Sequence, residues 1–382
     1  MNTPNSFTIF VSTFPGLESL LREEVASLLS RIGKKGVKTV PGGVVLQGGW
    51  SEVWRLNLMC RGATRVLVRI GEFPATHLAQ LDKRARTLVW GEFLPKGAPI
   101  QMEASCRKSK IYHSGAAAER IQHAARKVLG APDPTLETHS VFVRLDRDMC
   151  TVSLDTSGEL LHKRGFKQAV AKAPLRETQA ALFLRACGYQ PGEPFVDPMS
   201  GSGTLVIEAA EMALGLAPGR TRCFAFEHLP SFDADEWERL KTTVPKPRPV
   251  PEYPLLGFDR DGGAVKASQE NAQRAGLNAT MKFAQQDITK LTRPDTPPGL
   301  VIINPPYGVR VGDVGALKNL YRTIGSRLRA EFHGWRIGLV TSEATLAHAT
   351  GLPFAPPGPP IPHGSLRIQL YQTEALPHSS SP

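Results

Sequence analysis

Long hydrophobic runs are missing from this 382-residue chain, and no apolar stretch approaches the roughly eighteen residues that a membrane helix needs. Cysteine is scarce. The five present, at 60, 106, 150, 187 and 223, are odd in number, scattered and never in CxxC spacing. Neither a disulfide framework nor a zinc site is readable from them, and a reducing, cytoplasmic setting is expected with no metal. The N-terminus, MNTPNSFTIFVSTFPGLESLLREE, lacks a basic n-region and meets acidic residues early, which argues against a secretory signal. Internal repeats are absent too.

What is present is an uneven charge. The net charge of +11 is confined to one half: residues 1–190 carry 27 Lys and Arg against 16 Asp and Glu, whereas residues 191–382 carry 19 against 19. A basic module beside a neutral one suggests that one part holds a polyanion while the other does something else. A merely soluble basic surface is the plainer alternative.

The first segment alternates strand and helix signals, from FTIFVST through GLESLLREEVASLL to ATRVLVRIGEF, and suits a small α+β unit over residues 1–73. Residues 74–158 form a second unit with a helix near LAQLDKRARTLVW, a strand in PIQMEAS and paired strands SVFVRLDRD and MCTVSLDTSG. Between them Arg107, Lys108, Lys110 and Arg120 gather around Tyr112. Ser114-Gly115 precedes a helix over 116–129, whose free N-terminal amides suit a phosphate. A solvated helix face is the competing reading of this cluster. A basic connector, 159–190, adds Lys163 and Arg164.

From 191 to 375 the chain alternates β and α, which implies a doubly wound, mostly parallel sheet covered by helices. The Pro-rich runs at 244–254 and 353–364 read as loops, and the tail 376–382 as disorder. The strand Phe195-Val196-Asp197 runs into Pro198-Met199-Ser200-Gly201-Ser202-Gly203-Thr204, an acid followed by a glycine turn that opens a helix. A third glycine at dinucleotide spacing is missing and no Gly-Lys-Ser/Thr follows, so neither a dinucleotide fingerprint nor a P-loop is present. Later strands end at Asp259-Arg260, at Asp287-Ile288 and at Asn304-Pro305-Pro306-Tyr307. Carboxyl ends of such strands are where wound sheets bind ligands, and a carboxylate there characteristically accepts ribose hydroxyls. Asp197 and Asp259 are 62 positions apart, against the ~20 typical of dinucleotide folds, and the Pro-rich insertion absorbs the excess.

The series DPMSGSGT, GFDRD, QQDI and NPPYG resembles class I S-adenosylmethionine-dependent methyltransferases that modify exocyclic amino groups. More narrowly, VDPMSGSGTLVIEAA, INPPYGVRV, LDTSGELLHKRGF and APLRETQAA resemble the THUMP-containing guanine-N2 methyltransferases of 23S ribosomal RNA, over about residues 6–375. Ser200 stands where many relatives have Cys, and this chain has no room for the second methyltransferase domain that some relatives carry. The resemblance implies a Rossmann-like α/β domain of seven strands preceded by a ferredoxin-like and THUMP module that grips structured RNA. It implies S-adenosylmethionine held by Asp197, Pro198 and the amides of Met199 to Gly203, by Asp259 and Arg260 at the ribose, and by Asp287 and Ile288 at the adenine. Asn304 would lie beside both cofactor and substrate. Its side-chain oxygen and the Pro305 carbonyl would bind the two amino hydrogens, with Pro306 stiffening the loop and Tyr307 stacking on a flipped base. Asn-Pro-Pro-Tyr does not choose its substrate, because adenine-N6 DNA methylases and glutamine methylases also present a planar NH2. A transfer RNA guanine-N2 methylase shares the plan. A non-catalytic RNA-binding or ribosome-assembly factor is the alternative of another class.

Overall fold

Along FTIFVS, residues alternate buried and half-buried, with Ile9 and Val11 fully enclosed, and this period of two builds β1 (Phe7–Ser12) as a half-covered strand. The computed structural model describes residues 6–168, 175–307 and 314–377. The end of the INPPYGVRV motif, the start of APLRETQAA and most of the tail lie outside them. The chain divides into two units, one of residues 1–13, 21–161 and 221–244, the other of residues 14–20, 162–220 and 245–382.

The first unit is built on β1 with β2 (Lys38–Val40), β3 (Gly43–Gly48), β4 (Arg65–Pro74), β5 (Ile100–Arg107), β6 (His139–Asp146) and β7 (Met149–Asp155). They form one sheet in the order β2-β3-β1-β4-β7-β6-β5, so strands of the two expected N-terminal segments share a single sheet. Neighbours are antiparallel except β5 and β6. In-register aliphatics such as Ile9 against Leu46 and Val68 stack the core across strands. The β6–β7 hairpin turns through Arg147 and Asp148, both at positive φ, the geometry a two-residue loop needs to match strand twist. Asp148 then accepts a hydrogen bond from the Lys110 amide at 2.7 Å, pinning the basic loop after β5.

The LDTSG segment is structural. Asn57, enclosed on the helix Trp50–Met59, donates to Thr156 Oγ1 at 3.0 Å and accepts from Ser157 Oγ at 2.7 Å, while Asp155 pairs with Arg65. Buried polar groups that satisfy one another in this way fix a single arrangement of the chain. Residues 221–244, expected within the wound-sheet segment 191–375, are counted with this unit. Phe226 donates its amide to Thr156 O at 3.1 Å, and Phe226, Phe232 and Trp237 ring the enclosed Trp54 with centroids 5.9–6.4 Å away.

In the second unit, β8 (Phe195–Asp197), β9 (Leu255–Asp259), β10 (Met281–Gln285), β11 (Leu300–Ile303), β12 (Arg336–Thr341), β13 (Ile361–His363) and β14 (Leu366–Gln372) form a sheet ordered β10-β9-β8-β11-β12-β14-β13. The first five are parallel, and β14 runs antiparallel to β12. Wholly buried runs such as LVII in β11 are what a parallel strand covered on both faces requires. The chain winds outward from β8 to β10 and then returns to β11 on the other side of β8. That reversal makes a switch point between β8 and β11, the position at which wound sheets generally bind ligands. The tail expectation needs correction at Leu376: it exchanges backbone hydrogen bonds with Gly334 and Trp335 and is 3% exposed. Its leucine side chain has a hydrophobic cluster to enter, which composition alone does not reveal.

Candidate methyl-transfer site

β8 delivers Asp197, 2% exposed, to the floor of the glycine turn, where its carboxylate accepts from the Met199 amide at 3.0 Å. Burial is the main influence on this group and pushes its pKa up to about 8; the Met199 hydrogen bond opposes the shift and the neighbouring Asp259 carboxylate adds to it. Gly201 and Gly203 both adopt positive φ, at 54° and 81°, which is why glycine stands at each. A Cβ on Gly203 would also come within 3.0 Å of Phe283 and 3.2 Å of Ser268.

The end of β9 braces this turn. Ser200 N donates to Phe258 O at 2.8 Å, and Asp259 accepts from Gly201 N with one oxygen and from Asp261 N with the other, each at 2.9 Å. The sequence suggests a ribose-binding role for Asp259; the structure adds that the same carboxylate holds the turn. Asp287 caps the short turn Ile288–Lys290 through Thr289, which holds its pKa below the usual carboxylate range. The Ile288 side chain is core, so what it has left for a ligand is its backbone. Arg260 is exposed, and its carbonyl accepts from Gln285.

β11 carries Asn304 to the same edge, one strand from Asp197. Asn304 is half-buried, yet its Oδ1 is enclosed without a hydrogen-bond partner. An unpaired buried amide oxygen costs about 1–3 kcal/mol, and no described residue offsets that cost here. Ser200 Oγ is likewise enclosed and unpartnered. Pro305 is buried and Pro306 exposed, and the Tyr321 hydroxyl lies 3.4 Å from Pro306 O and 3.2 Å from Thr341 Oγ1, tying the loop to the helix Val314–Glu331 and to β12. Tyr307 packs against both hydrophobic clusters of this unit, with burial raising its hydroxyl pKa to about 12. Its ring is therefore partly committed to the core.

Arg107, Lys108, Lys110, Tyr112, Arg120 and Lys163 are all exposed, Tyr112 at 84%. His113 caps the helix Ser114–Leu129 through the Ala116 amide at 3.1 Å, so that amide is already used. Arg164 corrects the sequence reading: it is 2% exposed and lies 3.6 Å from the fully enclosed Glu208, so it serves the interior rather than a polyanion. Three residues were missed. Lys167 donates to Thr204 Oγ1 at 2.9 Å and to Leu175 O at 3.1 Å, and pairs with Glu177, steadying the helix that follows the glycine turn. Ser268 and Asn271 hold Gly201 O and Ser202 O at 2.8 and 3.0 Å. Their spacing of three on one helix face was the available signal. Among the described residues no group of three or more His, Cys, Asp or Glu is placed to hold a metal, and no helix is long and apolar enough to cross a membrane.

Residues 164–352 match a family described as an RMKL-like methyltransferase domain, and residues 8–67 match an RlmL ferredoxin-like domain. A ribosomal RNA large subunit methyltransferase K/L of Syntrophotalea carbinolica is 36% identical over 92% of this chain and 51% of that protein. The chain thus spans about half the length of such relatives. A Synechocystis sp. protein provisionally named an RNA methyltransferase is 30% identical over 90% of this chain and 94% of its own. A solved structure of a protein described as a methyltransferase complexed with S-adenosylhomocysteine is 27% identical, covers 98% of this chain and 99% of its own, and superposes with a TM-score of 0.88.

Proposed function

The chain belongs to the RMKL-like methyltransferase-domain family, and from that premise we propose that it transfers a methyl group from S-adenosylmethionine to the exocyclic N2 amino group of a guanine in large-subunit ribosomal RNA. The enclosed, unpartnered Asn304 Oδ1 at the switch point carries this reading. A relative of similar length described with S-adenosylhomocysteine supports the cofactor, and relatives named for large-subunit ribosomal RNA support the substrate.

The cofactor's methionine portion is assigned to the glycine turn, where Gly201 is half-buried at positive φ and Asp197 lies beneath; the amides of Met199, Ser200, Gly201 and Gly203 already donate within the chain, so of the expected amide donors Ser202 N is the one left for it. When bound, S-adenosylmethionine supplies an electrophilic methyl on a sulfonium. The chain's task is orientation. A guanine amino group is a poor nucleophile because its lone pair is delocalised into the ring. Asn304 Oδ1 and the Pro305 carbonyl accept its two hydrogens and turn nitrogen density toward the methyl, a catalysis of positioning that draws on proline rigidity. Tyr307 completes the pocket wall around the base. Under this reading residues 74–158 act as the THUMP module, and Arg107, Lys108, Lys110, Tyr112, Arg120 and Lys163 hold RNA in the bacterial cytoplasm, mainly through phosphates.

The pKa of Asp197 gives a pH prediction. Burial, which pushes this carboxyl's pKa up to about 8, favours its protonated form in the free protein at neutral pH. A cationic ligand favours the ionised form, so S-adenosylmethionine binding at neutral pH releases a proton and tightens as pH rises. Calorimetry is expected to show affinity increasing roughly tenfold between pH 7 and 9. The rise should be lost in Asp197→Asn, leaving only the titration of the ligand's own α-amino group. An unchanging affinity in the wild type would separate Asp197 from the cofactor.

The substrate is tested by nucleoside mass spectrometry on RNA from a strain lacking the gene. N2-methylguanosine is expected to fall in 23S ribosomal RNA and return on complementation. Loss confined to transfer RNA would reassign the substrate, and no binding heat with S-adenosylmethionine would favour a non-catalytic RNA-binding protein.

A further inference from the structure

The sequence offers base-reading features nowhere in the first unit, but its sheet assembles them. On β1 and β6 the residues alternating with the core point to the other face, and among them are Phe10 and Phe142, both half-buried. Arg69 lies over the Phe10 ring at 5.9 Å and Arg65 over the Phe142 ring at 5.2 Å. With Arg144 and Arg147 they line an open hollow of about 620 Å³ across the sheet.

Two polar atoms in this hollow are enclosed without a partner. Arg69 Nε is a donor, whereas Asp146 Oδ1 is an acceptor, the other Asp146 oxygen being taken by Arg144 at 3.0 Å. An unused donor and an unused acceptor beside flat guanidinium and phenyl surfaces suit a ligand that is planar with a mixed hydrogen-bonding edge. Net charge narrows the choice. Glu72, Glu103 and Asp146 share the hollow with the four arginines and leave it close to neutral. A duplex backbone would find little attraction there, because phosphate binding needs net positive charge. Unpaired bases, by contrast, stack on aromatic rings and on arginine planes whatever the net charge.

We infer that this sheet face is a base-stacking site for an unpaired stretch of RNA, the exposed basic loop at 107–112 holding phosphates separately. This rests on the RNA-substrate reading above. Fluorescence anisotropy on the full chain tests it, with single-stranded adenylate and uridylate dodecamers and a dodecamer RNA duplex as probes.

The Phe10→Ala/Phe142→Ala variant is expected to bind the single strands at least tenfold more weakly, with the salt dependence, duplex binding and S-adenosylhomocysteine binding unchanged. Single-strand affinity within twofold of wild type, or an equal loss on duplex, would overturn the inference. Should the variant melt far below wild type, ultraviolet crosslinking of the unaltered protein decides: adducts on β1 or β6 support the site, and adducts confined to 107–127 refute it. Arg69→Gln should weaken single-strand binding in the same direction. If ribosomal RNA methylation persists while these variants bind normally, only this inference fails. If neither cofactor nor RNA binds the wild type, the methyltransferase reading itself fails.

Discussion

Asn304→Ala is expected to lower methyl transfer by roughly 10²–10³-fold or more, the range seen when one oriented polar group is removed from the reacting centre. Affinity for S-adenosylmethionine should stay within about threefold of wild type, because the glycine turn is held by groups other than Asn304. Those groups are Phe258 O, Asp259, Ser268 and Asn271. The split matters more than the loss. If Asn304 only supported the loop, its removal would damage cofactor binding and thermal stability together. In the native protein its Oδ1 makes no internal hydrogen bond, so alanine removes an unsatisfied group and stability should hold or rise slightly. Single-turnover rates with saturating cofactor, read beside melting temperatures, check this. Wild-type turnover in the variant would end the assignment.

The second large effect concerns Arg164 and Glu208, 2% and 0% exposed. Removing one member of a buried ion pair strands the other charge in the interior, at a cost of about 3–5 kcal/mol. Arg164→Ala should therefore lower the melting temperature by roughly 10 °C, with lost activity following from unfolding. Its sequence neighbour provides the contrast. Lys163 is exposed, and Lys163→Ala should cost no more than the roughly 1 kcal/mol of a surface interaction while weakening RNA binding. Replacing both Arg164 and Glu208 by Met should recover much of the stability, since an apolar pair of similar size avoids the stranded charge. Unaltered melting of Arg164→Ala would show that the pair is dispensable and return Arg164 to the surface set.

Arg164 illustrates where sequence reading ran out. Within LLHKRGFK, Lys163 and Arg164 are adjacent cations in one basic run, and nothing local tells them apart. Their separation comes from a residue more than forty positions later, Glu208, on the helix Thr204–Leu214. Leu376 fails for the same reason: its polar neighbours suggest a loose tail, whereas its partners Gly334 and Trp335 lie 42 and 41 positions earlier. Residues 221–244 join the first unit because Trp54 receives their rings, a match invisible to any window of local pattern. Asp259 shows a milder case. Its place at a strand end is readable, but its bond to Gly201, 58 positions away, is not.

Local order alone determined the alternation of strands and helices after residue 191, the polar residues at four strand ends and the diproline that follows Asn304, because strand period, glycine conformation and proline geometry act over a few neighbouring residues. The tertiary structure decided which cations face solvent, which carboxylates brace a turn, and that the two N-terminal segments form one sheet with aromatic and arginine planes on its open face. These are contacts between residues far apart in the chain. Their outcome depends on burial and charge pairing, which exist only once the chain has closed on itself.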